Sequence, residues 1–197
     1  FVPYNDQVAR EVDVTKWKDL VNLVTNGSFG KPFDAIIYSV GHCPPGEFER
    51  TVEIPLSLIS NERFVAEWEM HVHGLQNVFQ LLVEHILPRG CFVVVSSAIT
   101  RLTNETCPPW LYAGHYAAAK AGQDELVRWM RRDPAIQGRG IKIHRLALTA
   151  VNTPFFECAT RPLPPMLSLS DVAREVLTAL KSGVEIDKVV DGETISG

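Results

Sequence analysis

The sequence predicts an α/β protein: a doubly wound parallel sheet in a three-layer α/β/α arrangement. Three observations predict it. Cys91–Val95 is an apolar run closing on Ser96-Ser97, Ile141–Leu148 (IKIHRLAL) is another, and between them Tyr112–Arg132 is alanine-rich and free of proline. That middle stretch is long enough for about five to six helical turns. Strand, helix, strand, with serines at the carboxyl end of the first strand, is a parallel crossover with its polar groups at the ligand edge. The second observation is Asp34–Val40 (DAIIYSV), a short apolar run ending at Gly41, which reads as a buried parallel strand. The third is the close of the chain, where an amphipathic stretch is followed by a last short strand.

In chain order, a short strand is expected at Val8–Val12. A helix then opens at Asp13-Val14-Thr15, with Asp13 or Thr15 as its cap and Trp17, Leu20, Val21 and Val24 on its apolar face. Asn26–Pro32 is a loop, and the Asp34–Val40 strand follows. His42–Ser60 holds three prolines and reads as a substrate-side loop. A long helix is expected over Asn61–Leu87, with Phe64, Trp68, Val72, Leu75, Phe79, Leu82 and Ile86 at spacings of three and four, closed by Pro88. Gly90–Ser97 is the next strand, Thr103–Leu111 a proline-containing loop, and Gly138–Gly140 a break before the Ile141–Leu148 strand. Phe155–Ser168 is proline-rich and apolar. Ser170-Asp171 caps a last helix, Val172–Lys181, and Lys188–Asp191 is the final strand.

Bulk properties narrow the function. The chain has 197 residues, 46% of them hydrophobic, enough for one domain spanning 1–197. A net charge of −4 with mixed signs along the chain argues against a nucleic-acid partner. No apolar run approaches the roughly 20 residues of a membrane span. Cys43, Cys91, Cys107 and Cys158 are scattered, which points away from a disulfide framework or a metal site and towards a reducing, cytoplasmic setting. His71 and His73 lie two apart, on different helical faces, so they do not suit a shared metal.

The chemistry centres on Tyr116 and Lys120. Four residues apart on a helix, they leave the same face. An ammonium beside a phenol is expected to lower the phenol's pKa and fit it for proton transfer near neutral pH. Read without that chemistry, they are two surface residues at helical spacing.

The run Tyr116-Ala117-Ala118-Ala119-Lys120-Ala121-Gly122, with Ser97 at the preceding strand end, resembles the short-chain dehydrogenase/reductase family. The likeness is closest to the branch of the 3-oxoacyl-carrier-protein reductases. It implies a Rossmann-like domain, NAD or NADP as cofactor, and a small-molecule carbonyl or alcohol as substrate. In that likeness Ser97 polarises the carbonyl oxygen, Tyr116 is the general acid/base, and Lys120 tunes the phenol and binds the nicotinamide ribose. His71, in His71-Val72-His73-Gly74, stands where the family has asparagine, and is read either as a proton-passing group or as a packing residue.

Cofactor contacts implied by the same likeness are Asp13 and Val14 at the adenine, Ser39, Val40 and Gly41 beside the cofactor, and Val151 and Thr153 at the nicotinamide. Asp13 and Val14 read equally as a helix cap and a core valine. Phe155–Ser168 resembles the substrate lid, and the two long helices imply a homodimer or homotetramer.

The likeness has gaps. The family's Asn-Asn-Ala-Gly is Tyr38-Ser39-Val40-Gly41 here, its Pro-Gly is Leu148-Thr149, and no glycine-rich phosphate loop is present. The first βαβ segment is therefore lacking, and further residues are expected ahead of Phe1. The function expected is carbonyl–alcohol interconversion by hydride transfer. The alternative is a relative that has lost catalysis and serves as a binding or regulatory subunit.

Overall fold

The computed structural model describes residues 12–25, 32–41, 54–103, 105–108, 111–153 and 165–191. Its elements in order are α1 (Trp17–Thr25), β1 (Phe33–Tyr38), α2 (Asn61–Trp68), a π turn (Glu69–His73), α3 (Gly74–Leu82), β2 (Ile86–Ser97), α4 (Gly114–Met130), α5 (Pro134–Arg139), β3 (Lys142–Leu148), α6 (Leu169–Lys181) and β4 (Asp187–Val190). The four strands form one sheet in the order β1-β2-β3-β4, every pair parallel. Helices cover both sides, as the α/β reading requires.

Alternation along the strands sorts the core into two layers. Phe92, Val94 and Ile143 face Leu20, Leu75, Val78, Leu82, Val127, Met130 and Ile136 of the helices on one side. Cys91, Val93, Leu146 and Leu148 face Ala179 of α6 on the other, with Val172, Val176 and Leu180 packed against them. β1 differs from the buried strand expected over Asp34–Val40. It lies at one end of the described sheet, and Ile37 is 48% exposed.

The long helix expected over Asn61–Leu87 is broken. α2 gives way to the π turn, in which the Gly74 amide donates to the Glu69 carbonyl five residues back. The extra residue rotates the helix face by about one residue's turn. The apolar stripe therefore buries from Leu75 onward, whereas Phe64 and Trp68 stay 38% and 43% exposed and Glu67 turns inward. Leu82 leads into a 3-10 turn, Val83–His85, and Ile86 and Pro88 belong to β2 rather than to the helix. Pro88 does not end a helix. Pairing runs from Phe33↔Ile86 to Ala35↔Cys91, so Leu87–Gly90 bulges from the ladder. A bulge tolerates a proline's missing N–H, and Arg89 there has φ 65.

Other bounds shift for local reasons. α4 is shorter than the Tyr112–Arg132 stretch at both ends. Gly138 lies inside α5, a short helix with Asp133 as its cap, and Gly140 ends it in the left-handed conformation at φ 64. α6 is capped by Ser168 in a reciprocal box with Asp171, not by Ser170. β4 begins at Asp187, one residue before Lys188. Ahead of α1, Asp13 accepts hydrogen bonds from the Thr15 amide at 3.0 Å and hydroxyl at 2.7 Å, which also hold its carboxyl below the usual range. All of the strand expected at Val8–Val12 except Val12, the phenylalanines of the lid and most of the His42–Ser60 loop lie outside the described residues.

Candidate active site

The site forms at the carboxyl edge of the sheet, where β1, β2 and β3 end and α4 begins. Ser97 is the last residue of β2. Its hydroxyl accepts from the Ile99 amide at 3.3 Å, starting a 3-10 turn over Ala98–Arg101. Tyr116, on α4, lies near enough for that hydroxyl to act on its phenol and lower its pKa. One turn further along α4, the Lys120 Nζ lies 5.8 Å from the centre of the Tyr116 ring. Lys120 is buried, and its ammonium donates to Gln123 Oε1 at 3.1 Å.

The electrostatics differ from the sequence expectation. Tyr116 is not made more acidic. Burial pushes the phenol up to about 12, with the Ser97 hydroxyl acting downward and the charge of Glu67 upward. The ammonium is the group that moves towards neutrality: burial pulls Lys120 down to about 8, against the charges of Asp124 and Glu67. Both shifts have one origin. A site screened from water disfavours whichever form is charged.

His71 sits in the π turn with its ring edge-on to Tyr116, centroids 5.5 Å apart. It is fully buried, and burial lowers its pKa. Its Nε2 is 3.2 Å from Glu67 Oε2. That is ion-pair distance, but the alignment falls short of a hydrogen bond, and neither atom has another hydrogen-bond partner among the described residues. The Tyr38 hydroxyl donates to the Met70 carbonyl at 2.8 Å, in the same turn. The π turn loosens the helix ladder at this point, and Tyr38 from the tip of β1 occupies the carbonyl. Gly74 follows directly; a Cβ there would stand 2.8 Å from Val14 Cγ2 and 2.9 Å from the Tyr38 hydroxyl. Tyr38 and His71, two departures from the family pattern, are thus parts of one local structure.

The remaining candidates fall along the same edge. Gly41 follows β1 and faces His71: a Cβ there would lie 3.9 Å from His71 Cε1. Ser39 is exposed and Val40 half-buried beside it. Val14 packs against the core below α3, its carbonyl accepting from Asn77 at 3.1 Å, while Asp13 is 3.2 Å from Lys16 on the surface. Val151 bridges to Leu167, and the Thr153 hydroxyl donates to the Val151 carbonyl at 3.4 Å. The structure thus gathers Ser97, Tyr116, Lys120, His71 and Gly41, while Asp13 bonds Thr15 and Lys16, Thr153 bonds Val151, and Val151 bridges to Leu167.

Sequence reasoning missed three groups. Glu67 and His115 are buried beside Tyr116 and Lys120. Asp124 accepts from Ser96 at 2.5 Å, Thr100 at 3.0 Å and Arg145 at 2.6 Å. Spacing held the signal for one: Asp124 stands four after Lys120, on the same helix face. Among the described residues no cluster of His, Cys, Asp or Glu could hold a metal ion, and no helix is long and apolar enough to cross a membrane.

The family model described as "short chain dehydrogenase" matches residues 4–162. The chain belongs to the short-chain dehydrogenase family. Solved structures agree on the fold. An alcohol dehydrogenase from the archaeon Thermococcus sibiricus, complexed with 5-hydroxy-NADP, superposes with a TM-score of 0.68 at 20% identity, covering 92% of this chain and 72% of that one. The enoyl-[acyl-carrier-protein] reductase (NADH) from Aquifex aeolicus gives 0.68 at 22%, covering 94% and 73%. A short chain dehydrogenase from Burkholderia cenocepacia in complex with NADP gives 0.67 at 17%, covering 94% and 70%. No curated protein sequence matches the chain. Short-chain dehydrogenases are oxidoreductases that work with NAD or NADP, and this chain has their Rossmann-like fold.

Proposed function

We propose that residues 1–197 form a single domain that interconverts a carbonyl and an alcohol by hydride transfer with NAD or NADP. The observation that carries this reading is the meeting of three polar groups from two elements: the Ser97 hydroxyl near enough to the Tyr116 phenol to lower its pKa, and the Lys120 ammonium 5.8 Å from that ring. In this reading the cofactor, when bound, supplies or takes the hydride. Ser97 polarises the carbonyl oxygen, where charge grows in the transition state. Tyr116 gives that oxygen its hydroxyl proton, or takes it back in the oxidative direction. Lys120 suits the cofactor's ribose. Its buried ammonium makes one hydrogen bond among the described residues, leaving two N–H donors for sugar hydroxyls.

Asp13, Val14, Ser39, Val40, Gly41, Val151 and Thr153 complete the cofactor side of this reading, and His71 is its fourth catalytic group. A pocket of about 290 Å³ lined by Leu56, Ile99, Leu102, Cys107 and Leu111 lies next to Ala113, Gly114 and Ala117, just ahead of Tyr116. It supports an apolar group on the substrate, such as the chain of a 3-oxoacyl thioester. Exposed Phe64, Val65, Trp68 and Trp129 on α2 and α4 support a homodimer or homotetramer.

One observation favours the second reading, a relative that binds or regulates without turnover: the phenol stands at about 12 rather than below its ordinary value. Fluorescence titration with NADH and NADPH separates the two. The expected result is saturable binding of at least one, and cofactor oxidation with acetoacetyl-coenzyme A as the probe carbonyl. Tyr116→Phe is expected to abolish that turnover while cofactor affinity stays within about twofold. Full turnover in the variant would reject the mechanism, and no binding at saturating cofactor would reject the enzyme.

A further inference from the structure

Where α2 and the π turn cross α4, five ionisable groups come together: Glu67 and His71 from one side, and His115, Tyr116 and Lys120 from the other. Glu67 has no part in the chemistry above, yet its charge reaches all four of the others. It is only 7% exposed. Carboxylates are rarely buried without a partner, and its closest one is His71 Nε2 at 3.2 Å. The imidazole is held on three sides: Nε2 towards Glu67, Cε1 towards Gly41, and the ring edge-on to Tyr116. Tyr38 ties the backbone of the turn at Met70. Ala66 and Trp68, either side of Glu67, are exposed, so of the three only the carboxylate is turned inward. His115, fully buried with neither ring nitrogen partnered among the described residues, and Arg63 complete the titratable and charged groups around it.

We propose that Glu67 acts through His71 as a positioning residue for proton transfer at Tyr116. The carboxylate holds the imidazole edge-on to the phenol and sets the charge beside it. The chemistry rests on the oxidoreductase reading. In carbonyl reduction Tyr116 passes its hydroxyl proton to the substrate oxygen and is left as phenolate; a proton drawn from solvent restores the phenol. With Glu67 ionised and His71 neutral, the pair's single negative charge favours the restored phenol. A proton on His71 cancels that charge. The imperfect alignment of the pair suits a hydrogen bond that tightens only when the site is loaded.

The test replaces Glu67 by Gln, which keeps the shape and removes the charge, with Glu67→Asp as the conservative partner. Two titrations need no substrate. One is histidine-ring NMR, with His71 assigned through His71→Asn; the other is ultraviolet phenolate absorbance, with Tyr116 assigned through Tyr116→Phe. Both midpoints are expected to fall in Glu67→Gln, each by about half a pH unit or more, and to move back towards wild type in Glu67→Asp. Turnover of acetoacetyl-coenzyme A is expected to lose about tenfold in kcat with KM for the cofactor unchanged. In a His71→Asn background the same substitution is expected to change kcat by less than about twofold. Unmoved midpoints, or equal losses in both backgrounds, would overturn the proposal. If the probe is not turned over, the titrations alone decide. Shifted midpoints in a protein that binds neither cofactor would sink the oxidoreductase reading and leave the coupling of Glu67 to His71 standing.

Discussion

Tyr116 and Lys120 are displaced in opposite directions, the phenol up to about 12 and the ammonium down to about 8. The sequence showed that they share a helix face. It did not show how deeply they lie, and depth decides the sign of the phenol's shift. The two displacements have opposite effects on stability. An unfolded lysine holds its proton to about 10.4 and the folded Lys120 only to about 8, so between those values the unfolded state binds more protons. Stability therefore rises with pH across that window, by an amount on the order of 3 kcal/mol if Lys120 acted alone. The phenol works the other way. Its folded value is raised, so its contribution is full below about 10 and is lost as pH rises through about 12. Buried Cys91, raised by burial, also opposes the rise. Comparison with Lys120→Met isolates the lysine. Urea midpoints taken from pH about 8 to 10 are expected to climb in wild type relative to the variant. A constant difference across the window would show that Lys120 is not displaced.

At the level of elements, most of the fold was legible because helices and strands announce themselves by period. β2, α4 and β3 follow from two apolar runs about an alanine-rich stretch, and α6 from its amphipathic face. What was not legible is where a period slips. Phe64 through Ile86 kept helical spacing on paper, but one extra residue in the π turn shifts the buried face, and the bulge at Leu87–Gly90 admits Pro88 to a strand. Neither has a local sequence signal, because each depends on a neighbour in space. For the π turn that neighbour is Tyr38, which sequence matching marked only as a missing asparagine. Its hydroxyl is buried, and burial raises its pKa well above the ordinary tyrosine value. Tyr38→Phe keeps the ring and leaves the Met70 carbonyl without that donor. The expected cost is about 1–3 kcal/mol in urea unfolding, and the His71 ring resonances should shift with it. A neutral substitution with unmoved histidine signals would mean that Tyr38 does not brace the turn.

Across the whole molecule, α4 is anchored to the sheet by charge as well as by packing. Arg145 on β3 is 2% exposed. It donates to Asp124 on α4 at 2.6 Å and, through Nε, to Asp187 on β4 at 2.9 Å. Arg131, at the end of α4, reaches Asp187 at 2.9 Å and the Ile143 carbonyl at 3.1 Å. Asp124 also holds Ser96, the neighbour of Ser97, and its charge acts on Lys120 one turn before it. The site was legible where its residues lie within one helix or at one strand tip. This anchor was not, because Arg145 meets partners 21 and 42 residues away and the IKIHRLAL run gives no hint of them. Arg145→Met keeps the length of the side chain and removes its charge. Asp124 is then left with the hydroxyls of Ser96 and Thr100, while Asp187 keeps Arg131. Asp124 is half-buried, so stripping it of its cation costs less than a fully buried charge would, on the order of 1–3 kcal/mol, whereas replacing both partners by apolar groups is far cheaper. Arg145→Met is therefore expected to lower stability by about that amount at neutral pH, and Arg145→Met with Asp124→Leu to recover part of it. The acid limb carries a second reading of the same anchor. Burial would raise the Asp187 carboxyl, but its hydrogen bonds to Arg145 and Arg131 outweigh that and hold it low. Its contribution is full above the ordinary carboxylate range and is lost as pH falls through the lowered value. Without Arg145 that acid-sensitive part shrinks, so the wild-type and variant stability curves converge as pH falls. If the curves instead run parallel from neutral to acid pH, the anchor's charges contribute nothing and α4 is held by packing alone.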